Sequence, residues 1–197
     1  MSAVKQRQPI SVEDYLAGEL VSPVKHEYID GYVYAMSGAR NVHNDIAINI
    51  SGELRSRLRD KPCKPCNSDT KVRIPRPPKE RFFYPDAFVV CKASPPELSF
   101  QERPVVIFEV ISESTRRTDE WEKKEAYLTL PSLSVYALVE QEQPLVTLYR
   151  RQGQEFVREV YNSLEEVIPL KEVECELPMA EIYHRVEFSP DDPPPDR

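Results

Sequence analysis

Glycine is scarce in this chain, with five residues in 197. A phosphate-cradling loop of the G-x-x-x-x-G-K-[ST] type needs clustered glycines, and no such loop is present, which argues against an ATP-driven enzyme. Long hydrophobic runs are missing too: none approaches the roughly 18 apolar residues of a membrane span. Met1 to Gln8 lacks the apolar core of a secretory signal, so a cytoplasmic protein with no membrane partner is expected. Histidine is limited to His26, His43 and His184. None stands at a finger-like distance from Cys63-Lys64-Pro65-Cys66, and no second C-x-x-C follows. Zinc is therefore disfavoured, and the four cysteines are expected as free thiols in a reducing compartment. No Ser-His-Asp or Cys-His set is marked by spacing, since such triads are defined by geometry. An excess of positive charge is also lacking. The net charge of −7 is the opposite of the electrostatic footprint of a strongly basic nucleic-acid-binding domain.

What is present suits one α/β domain with a real core. Residues 1–10 are expected to be a flexible N-terminus, 11–188 a single domain, and 189–197, rich in proline and aspartate, a disordered tail. Ser11-Val12-Glu13-Asp14 resembles a capping box and predicts a helix to about Glu19. Aromatic and branched residues around Asp30-Gly31 predict a hairpin. Ile46, Ile50, Leu54 and Leu58 recur every four residues and predict an amphipathic helix over 41–59. Strands are predicted near 70–74 and over 82–91, 104–112, 134–139, 145–151 and 156–161. Helices are predicted over 118–130, ended by Pro131, and near 179–185. Residues 76–81 read as a loop.

Two stretches carry chemistry. Tyr84-Pro85-Asp86 and Val105-Val106-Ile107-Phe108-Glu109-Val110 each set one carboxylate in an apolar run that reads as a buried strand. A buried carboxylate is costly unless it is paired or holds a cation. Strand alternation puts Glu109 on the face of Ile107 and Ile111, and Asp86 on the face of Tyr84 and Phe88. On neighbouring strands the two carboxylates converge, and a hard cation such as Mg²⁺ or Mn²⁺ needs only one or two of them beside its waters. The structural alternatives are a turn cap or arginine partner for Asp86 and an ion pair for Glu109. Basic clusters at Arg55, Arg57, Arg59, Lys61 and Lys64, and at Arg116, Arg117, Lys123 and Lys124, are either phosphate-binding faces or solvated helix faces.

The ordered set extends further. Glu27 lies in His26-Glu27-Tyr28-Ile29-Asp30-Gly31, Pro85-Asp86 follows, and Glu109-Val110-Ile111-Ser112 leads to Ser114-Thr115. Asp119, Lys123 and Tyr127 come next at steps of four, then Val135-Tyr136-Ala137-Leu138-Val139. From about residue 11 to 186 the chain resembles the Uma-type family of restriction endonucleases, within the PD-(D/E)xK nuclease superfamily. The resemblance implies a mixed α/β fold with a restriction-endonuclease-like core, a central mixed sheet flanked by helices. It implies Asp86 and Glu109 as metal ligands, the Val110 carbonyl as a further ligand, and Glu27 approaching the same site. His43 and Tyr127 match accessory positions, and Arg116, Arg117 and Lys124 are candidates for nucleic-acid contacts. One departure matters: the superfamily lysine, two residues after the glutamate, is replaced by Ile111. The Uma-type pattern carries its lysine on the following helix, here Lys123, to orient the attacking water. A surface ion pair with Asp119 at i,i+4 is the plain alternative for Lys123.

The leading expectation is a Mg²⁺- or Mn²⁺-dependent endonuclease acting on DNA, with Glu27, Asp86, Glu109 and Lys123 as its catalytic set. Cutting both strands of a duplex needs two sites, so a symmetric homodimer is expected. A nuclease-like binding or assembly module without turnover is the alternative, favoured by the acidic charge and by Ile111. A phosphohydrolase acting on small nucleotides or RNA is a third reading.

Overall fold

A cap opens the fold where the sequence places one. In the computed structural model, which describes residues 8–36, 38–76, 79–112, 116 and 118–188, the Ser11 hydroxyl accepts the Asp14 N–H at 3.0 Å. This satisfies a free donor at the start of α1 (Val12–Glu19). The hairpin of β1 (His26–Ile29) and β2 (Tyr32–Ala35) turns at Asp30 and Gly31, whose φ angles are 54° and 101°. Two positive φ values match the twist of a tight hairpin. Gly31 is also pressed by the chain: a Cβ there would lie 2.7 Å from the Pro9 side chain.

The remaining elements are α2 (Asn41–Arg57), β3 (Lys64–Asn67), β4 (Lys71–Arg76), β5 (Lys79–Phe83), β6 (Ala87–Val90), β7 (Phe100–Gln101) and β8 (Pro104–Ile111). A π-helical turn (Thr118–Lys123) runs into α3 (Lys124–Leu128), followed by β9 (Val135–Glu140), β10 (Val146–Gln152) and β11 (Glu155–Tyr161). The chain closes with β12 (Val167–Leu170), a 3-10 turn (Lys171–Val173), β13 (Cys175–Pro178) and α4 (Met179–Ile182).

Among the described residues the strands form a six-stranded mixed sheet, β11-β10-β9-β8-β6-β3, a five-stranded sheet, β2-β1-β5-β4-β7, and the ribbon β12-β13. In the larger sheet β8 and β9 run parallel, and the helical segment 118–128 supplies the crossover that parallel neighbours require. One face of this sheet presents Ala87, Val89, Val106, Phe108, Val110 and Ala137 to Ile46, Ile50 and Leu54 of α2. Its other face presents Phe88, Ile107, Ile111 and Tyr136 to Tyr127 of α3 and to Val72, Ile74 and Phe83 of the smaller sheet. Tyr15 of α1 packs outside that smaller sheet on Tyr28, Phe82 and Phe100. The fold is mixed α/β, a central mixed sheet flanked by helices.

Several sequence expectations are corrected. Residues 82–91 are not one strand: β5 belongs to the smaller sheet and β6 to the larger one, and the chain changes sheet at Tyr84-Pro85-Asp86. Proline lacks an N–H and fixes φ, so it suits a junction better than a strand interior. The loop expected over 76–81 is mostly strand, since Arg76 pairs with Lys79; Pro77 and Pro78 lie outside the described residues. β3 escaped notice because of Pro65, which the sheet tolerates because β3 is an edge strand. Cys63 and Cys91 are not free thiols but a disulfide. They flank the antiparallel pair Lys64↔Val90 and so stand opposite one another; Cys66 and Cys175 are free. The helix expected over 118–130 begins as a π-helical turn and its α-helical part ends at Leu128. The expected disordered tail, 189–197, and most of the expected flexible start lie outside the described residues.

Candidate active site

Strand register brings the two carboxylates of the sequence together. β6 and β8 are antiparallel with Ala87 opposite Phe108, so one step further Asp86 meets Glu109. Asp86 Oδ2 accepts the Val110 N–H at 2.7 Å. His43, in the first turn of α2, stands with Nε2 at 3.4 Å from the same oxygen. Burial works against a charged His43 ring, but the Asp86 contact, the charge of Asp119 and the Val110 carbonyl outweigh it and raise the pKa.

Around Lys123 a second group gathers. Its Nζ lies 2.9 Å from Glu27 Oε1, 3.3 Å from Asp119 Oδ1 and 3.5 Å from Glu109 Oε1. Three elements supply these groups: β1 of the smaller sheet gives Glu27, β8 of the larger sheet gives Glu109, and the π-helical turn gives Asp119 and Lys123. The Tyr136 hydroxyl anchors that turn by donating to the Asp119 carbonyl at 2.9 Å. π-helical turns are rare and occur often at functional sites. Glu109 and Asp119 are each 2% exposed and Lys123 7%. Burial drives Glu109 well above the usual carboxylate range despite Lys123, and Asp119, Asp86 and Glu27 push the same way. For Lys123 burial opposes the charge, but Glu109, Glu27 and Asp119 outweigh it and hold the ammonium well above its usual range.

Lys123 and the four carboxylates line a cavity of about 960 Å³, together with Lys25, Arg40 and His43. The ammonium of Lys123 is shared among more negative charge than it can neutralise. Glu109 Oε1 is buried and accepts no hydrogen bond among the described residues. Carboxylate oxygens with an adjacent backbone carbonyl are the donor set of a hard divalent cation. Among the described residues no three His, Cys, Asp or Glu side chains gather in a ready-made metal cage. Mg²⁺ does not need one, because it keeps several waters and takes one or two carboxylates. The residues therefore fit such an ion, with Asp86, Glu109 and the Val110 carbonyl as the available ligands.

Other anticipated residues lie as follows. Tyr127 is fully buried, edge-on to Phe83 at 5.6 Å between ring centres, and its hydroxyl has no hydrogen-bond partner among the described residues. Glu109 adds to burial in raising its pKa. Arg116 is held by a two-pronged contact with Glu140, at 2.7 Å on each prong, and by Glu120 at 3.0 Å. Lys124 Nζ lies 4.5 Å from the centre of the Tyr149 ring. Arg117 is outside the described residues. Ile111, where the superfamily lysine would stand, is packed in the apolar core. Asp119 stood in the sequence as a member of the ordered set and as an i,i+4 partner of Lys123, without a site role; nothing in the local pattern signals its burial.

Comparison with known proteins agrees with this frame. Residues 12–180 match the family described as "Uma2: Putative restriction endonuclease". Two proteins of Synechocystis sp. (strain PCC 6803) are similar. "Uncharacterized protein slr1290" is 32% identical over 143 residues, 72% of this chain and 74% of that protein. "Uncharacterized protein sll1609" is 29% identical over 158 residues, 78% of this chain and 87% of that protein. Among solved structures, a putative nuclease belonging to DUF820 from Anabaena variabilis shares the fold, with a TM-score of 0.68 at 16% identity. That match covers 85% of this chain and 96% of the other. With a restriction-endonuclease-like core and a family match running from α1 to α4, the chain belongs to the Uma2 family of putative restriction endonucleases.

Proposed function

We propose that this protein is a Mg²⁺- or Mn²⁺-dependent endonuclease that hydrolyses phosphodiester bonds in DNA. The observation that carries the reading is the excess of carboxylate: the buried Glu109 and Asp119 and the part-buried Glu27 and Asp86 line one cavity, where Lys123 is the buried ammonium. Gathering these carboxylates in and beside the core costs stability even with Lys123 and His43 to offset them, which points to a functional reason for keeping them.

Asp86 and Glu109, with the Val110 carbonyl, would hold the ion, which supplies a nucleophile at neutral pH and stabilises charge on the phosphate. Val110 fixes the Asp86 carboxylate through its N–H, so the ligand is pre-oriented before any ion arrives. Lys123 takes over the work of the lysine absent at Ile111. Its ammonium bonds Glu27 and stands beside Glu109, where it can orient a water and offset negative charge at the scissile phosphate. Glu27 and Asp119 hold that ammonium in place and charged. Cleavage of both strands would use two copies, hence a homodimer.

The test is cleavage of supercoiled plasmid, linear duplex and single-stranded DNA with EDTA, Mg²⁺ or Mn²⁺, for wild type and Glu109→Ala. Metal-dependent cleavage that vanishes in the variant supports the proposal. A folded wild type inactive on all three substrates overturns the DNA reading. If that protein still binds metal, RNA or small nucleotides take the place of DNA; if it binds none, the module without turnover does.

A further inference from the structure

Beside the acidic cavity lies a second one of about 900 Å³, and the two share Lys25 and Tyr84 in their walls. Their formal charge differs in sign. The first is lined by four carboxylates against Lys25, Arg40 and Lys123; the second by Lys25, Lys64 and Lys71 against Glu19 and Asp69. Both acids of the second cavity are already engaged. Glu19 accepts from the Tyr84 hydroxyl at 2.8 Å and lies 2.7 Å from His26 Nδ1, and Asp69 is paired with Lys25 at 2.6 Å.

Lys71 is the unusual group. It sits in β4, 5% exposed, with Nζ hydrogen-bonded to the Tyr84 hydroxyl at 3.0 Å. The ammonium has three donors, and among the described residues Tyr84 is the acceptor within reach. The rings of Tyr84 and Tyr15 flank it at 5.2 and 5.9 Å. Burial lowers its pKa, with Glu19 opposing. A buried ammonium with unspent donors facing a cavity is an incomplete arrangement. Gln101, opposite Val72 in the β4–β7 pairing, lines the same cavity as Lys71. Its Oε1 accepts the Ser94 N–H at 2.7 Å, which leaves its amide N–H groups for a ligand. Leu20 and Leu98 give the rim an apolar surface.

We propose that this second cavity is a phosphate-binding subsite, with Lys71 as its buried cation and Gln101 as a neutral donor. Its ligand is a phosphate ester of a nucleotide. The chemistry admits two sources, a phosphate of a strand that also crosses the acidic cavity or a free mononucleotide. Assignment to the strand rests on the nuclease reading; phosphate binding does not.

The experiment uses the full chain in EDTA, so that no metal-linked binding or cleavage contributes. Affinity for a fluorescent single-stranded oligonucleotide is measured in wild type, Lys71→Met and Leu98→Glu, with inorganic phosphate and a 5′-mononucleotide as competitors. Lys71→Met should weaken binding by about 10- to 100-fold, the size of a charge-assisted hydrogen bond. Leu98→Glu, at the exposed rim, should weaken it too and serves if the core variant does not fold. Competition by phosphate supports the subsite. A mononucleotide that binds as tightly as the oligonucleotide assigns it to a free nucleotide; a much weaker one assigns it to the strand. Unchanged affinity in Leu98→Glu and in folded Lys71→Met overturns the subsite, even if the protein cleaves DNA. Loss of binding in both variants upholds it, even if no cleavage is ever seen.

Discussion

Asp86 is tied to the backbone of Val110: its Oδ2 accepts the Val110 N–H at 2.7 Å, next to the residue that supplies the second carboxylate. The side chain therefore has one oxygen committed to structure, and the amide and carboxylate forms of the residue can be told apart. Asp86→Asn keeps an oxygen for Val110 but loses the charge. It should fold with a melting temperature close to wild type while cleavage falls by at least about 10²-fold, the usual loss on removing one key electrostatic group. Near-wild-type turnover in Asp86→Asn would remove this carboxylate from the metal site.

Lys123→Met leaves Glu27, Glu109 and Asp119 without their shared ammonium. Breaking a buried ion pair from one side costs about 3–5 kcal/mol, so urea unfolding at neutral pH should show a loss of that order. The sign with pH follows from Glu109. Its folded-state pKa is raised, so its contribution favours the folded state below the usual carboxylate range and is lost as pH rises through the raised value. Without Lys123 that dependence steepens, and the variant should recover stability relative to wild type as pH falls towards 5. A deficit independent of pH would show that the carboxylates are not its cause.

Divalent cations should stabilise the wild type. An ion that binds the folded chain alone adds about 2.7 kcal/mol at a hundred times its Kd. Thermal unfolding should therefore shift upwards with Mg²⁺ or Mn²⁺ and return with EDTA, and Glu109→Ala should lose the shift. An equal shift in wild type and variant would place the ion elsewhere.

Cysteine chemistry checks the connection between β3 and β6. Burial pushes the Cys66 thiol up, only partly offset by Lys64, and pushes Cys175 up as well. Alkylation of both at pH 7.5 should be slow and should accelerate as pH passes 9, because the thiolate is the reactive form. Mass spectrometry of the unfolded, unreduced chain should find two alkylated cysteines, and four after reduction. Four without reductant would refute the Cys63–Cys91 bond.

Much of the fold was legible because its signals are local. Ser11 caps α1, Asp30-Gly31 turns the first hairpin, and the four-residue spacing of Ile46, Ile50 and Leu54 marks the buried stripe of α2. Alternation in β8 also placed Glu109 on the face of Ile107 and Ile111, as found. What was not legible depends on partners distant in the chain. Residues 82–91 read as one strand, because nothing local says that β5 and β6 pair in different sheets. Asp119 had a sufficient surface explanation in Lys123, and only the packing of the smaller sheet over the π-helical turn turns that pair inward. Lys71 carried no sequence signal at all, since its burial is set by Tyr15 and Tyr84 from elsewhere in the chain.

The change of sheet at Tyr84-Pro85-Asp86 has a mechanical meaning. Glu27 rides on one sheet and Glu109 on the other, and Asp86 sits at the end of the three-residue strap between them. With proline restricting φ at its centre, the strap ties the position of Asp86 to the way the two sheets pack on each other. The same strap begins at Tyr84, which touches Lys71 in the neighbouring cavity. One three-residue segment therefore reaches both cavities, through Tyr84 at one end and Asp86 at the other, so a change in the strap should be felt in both.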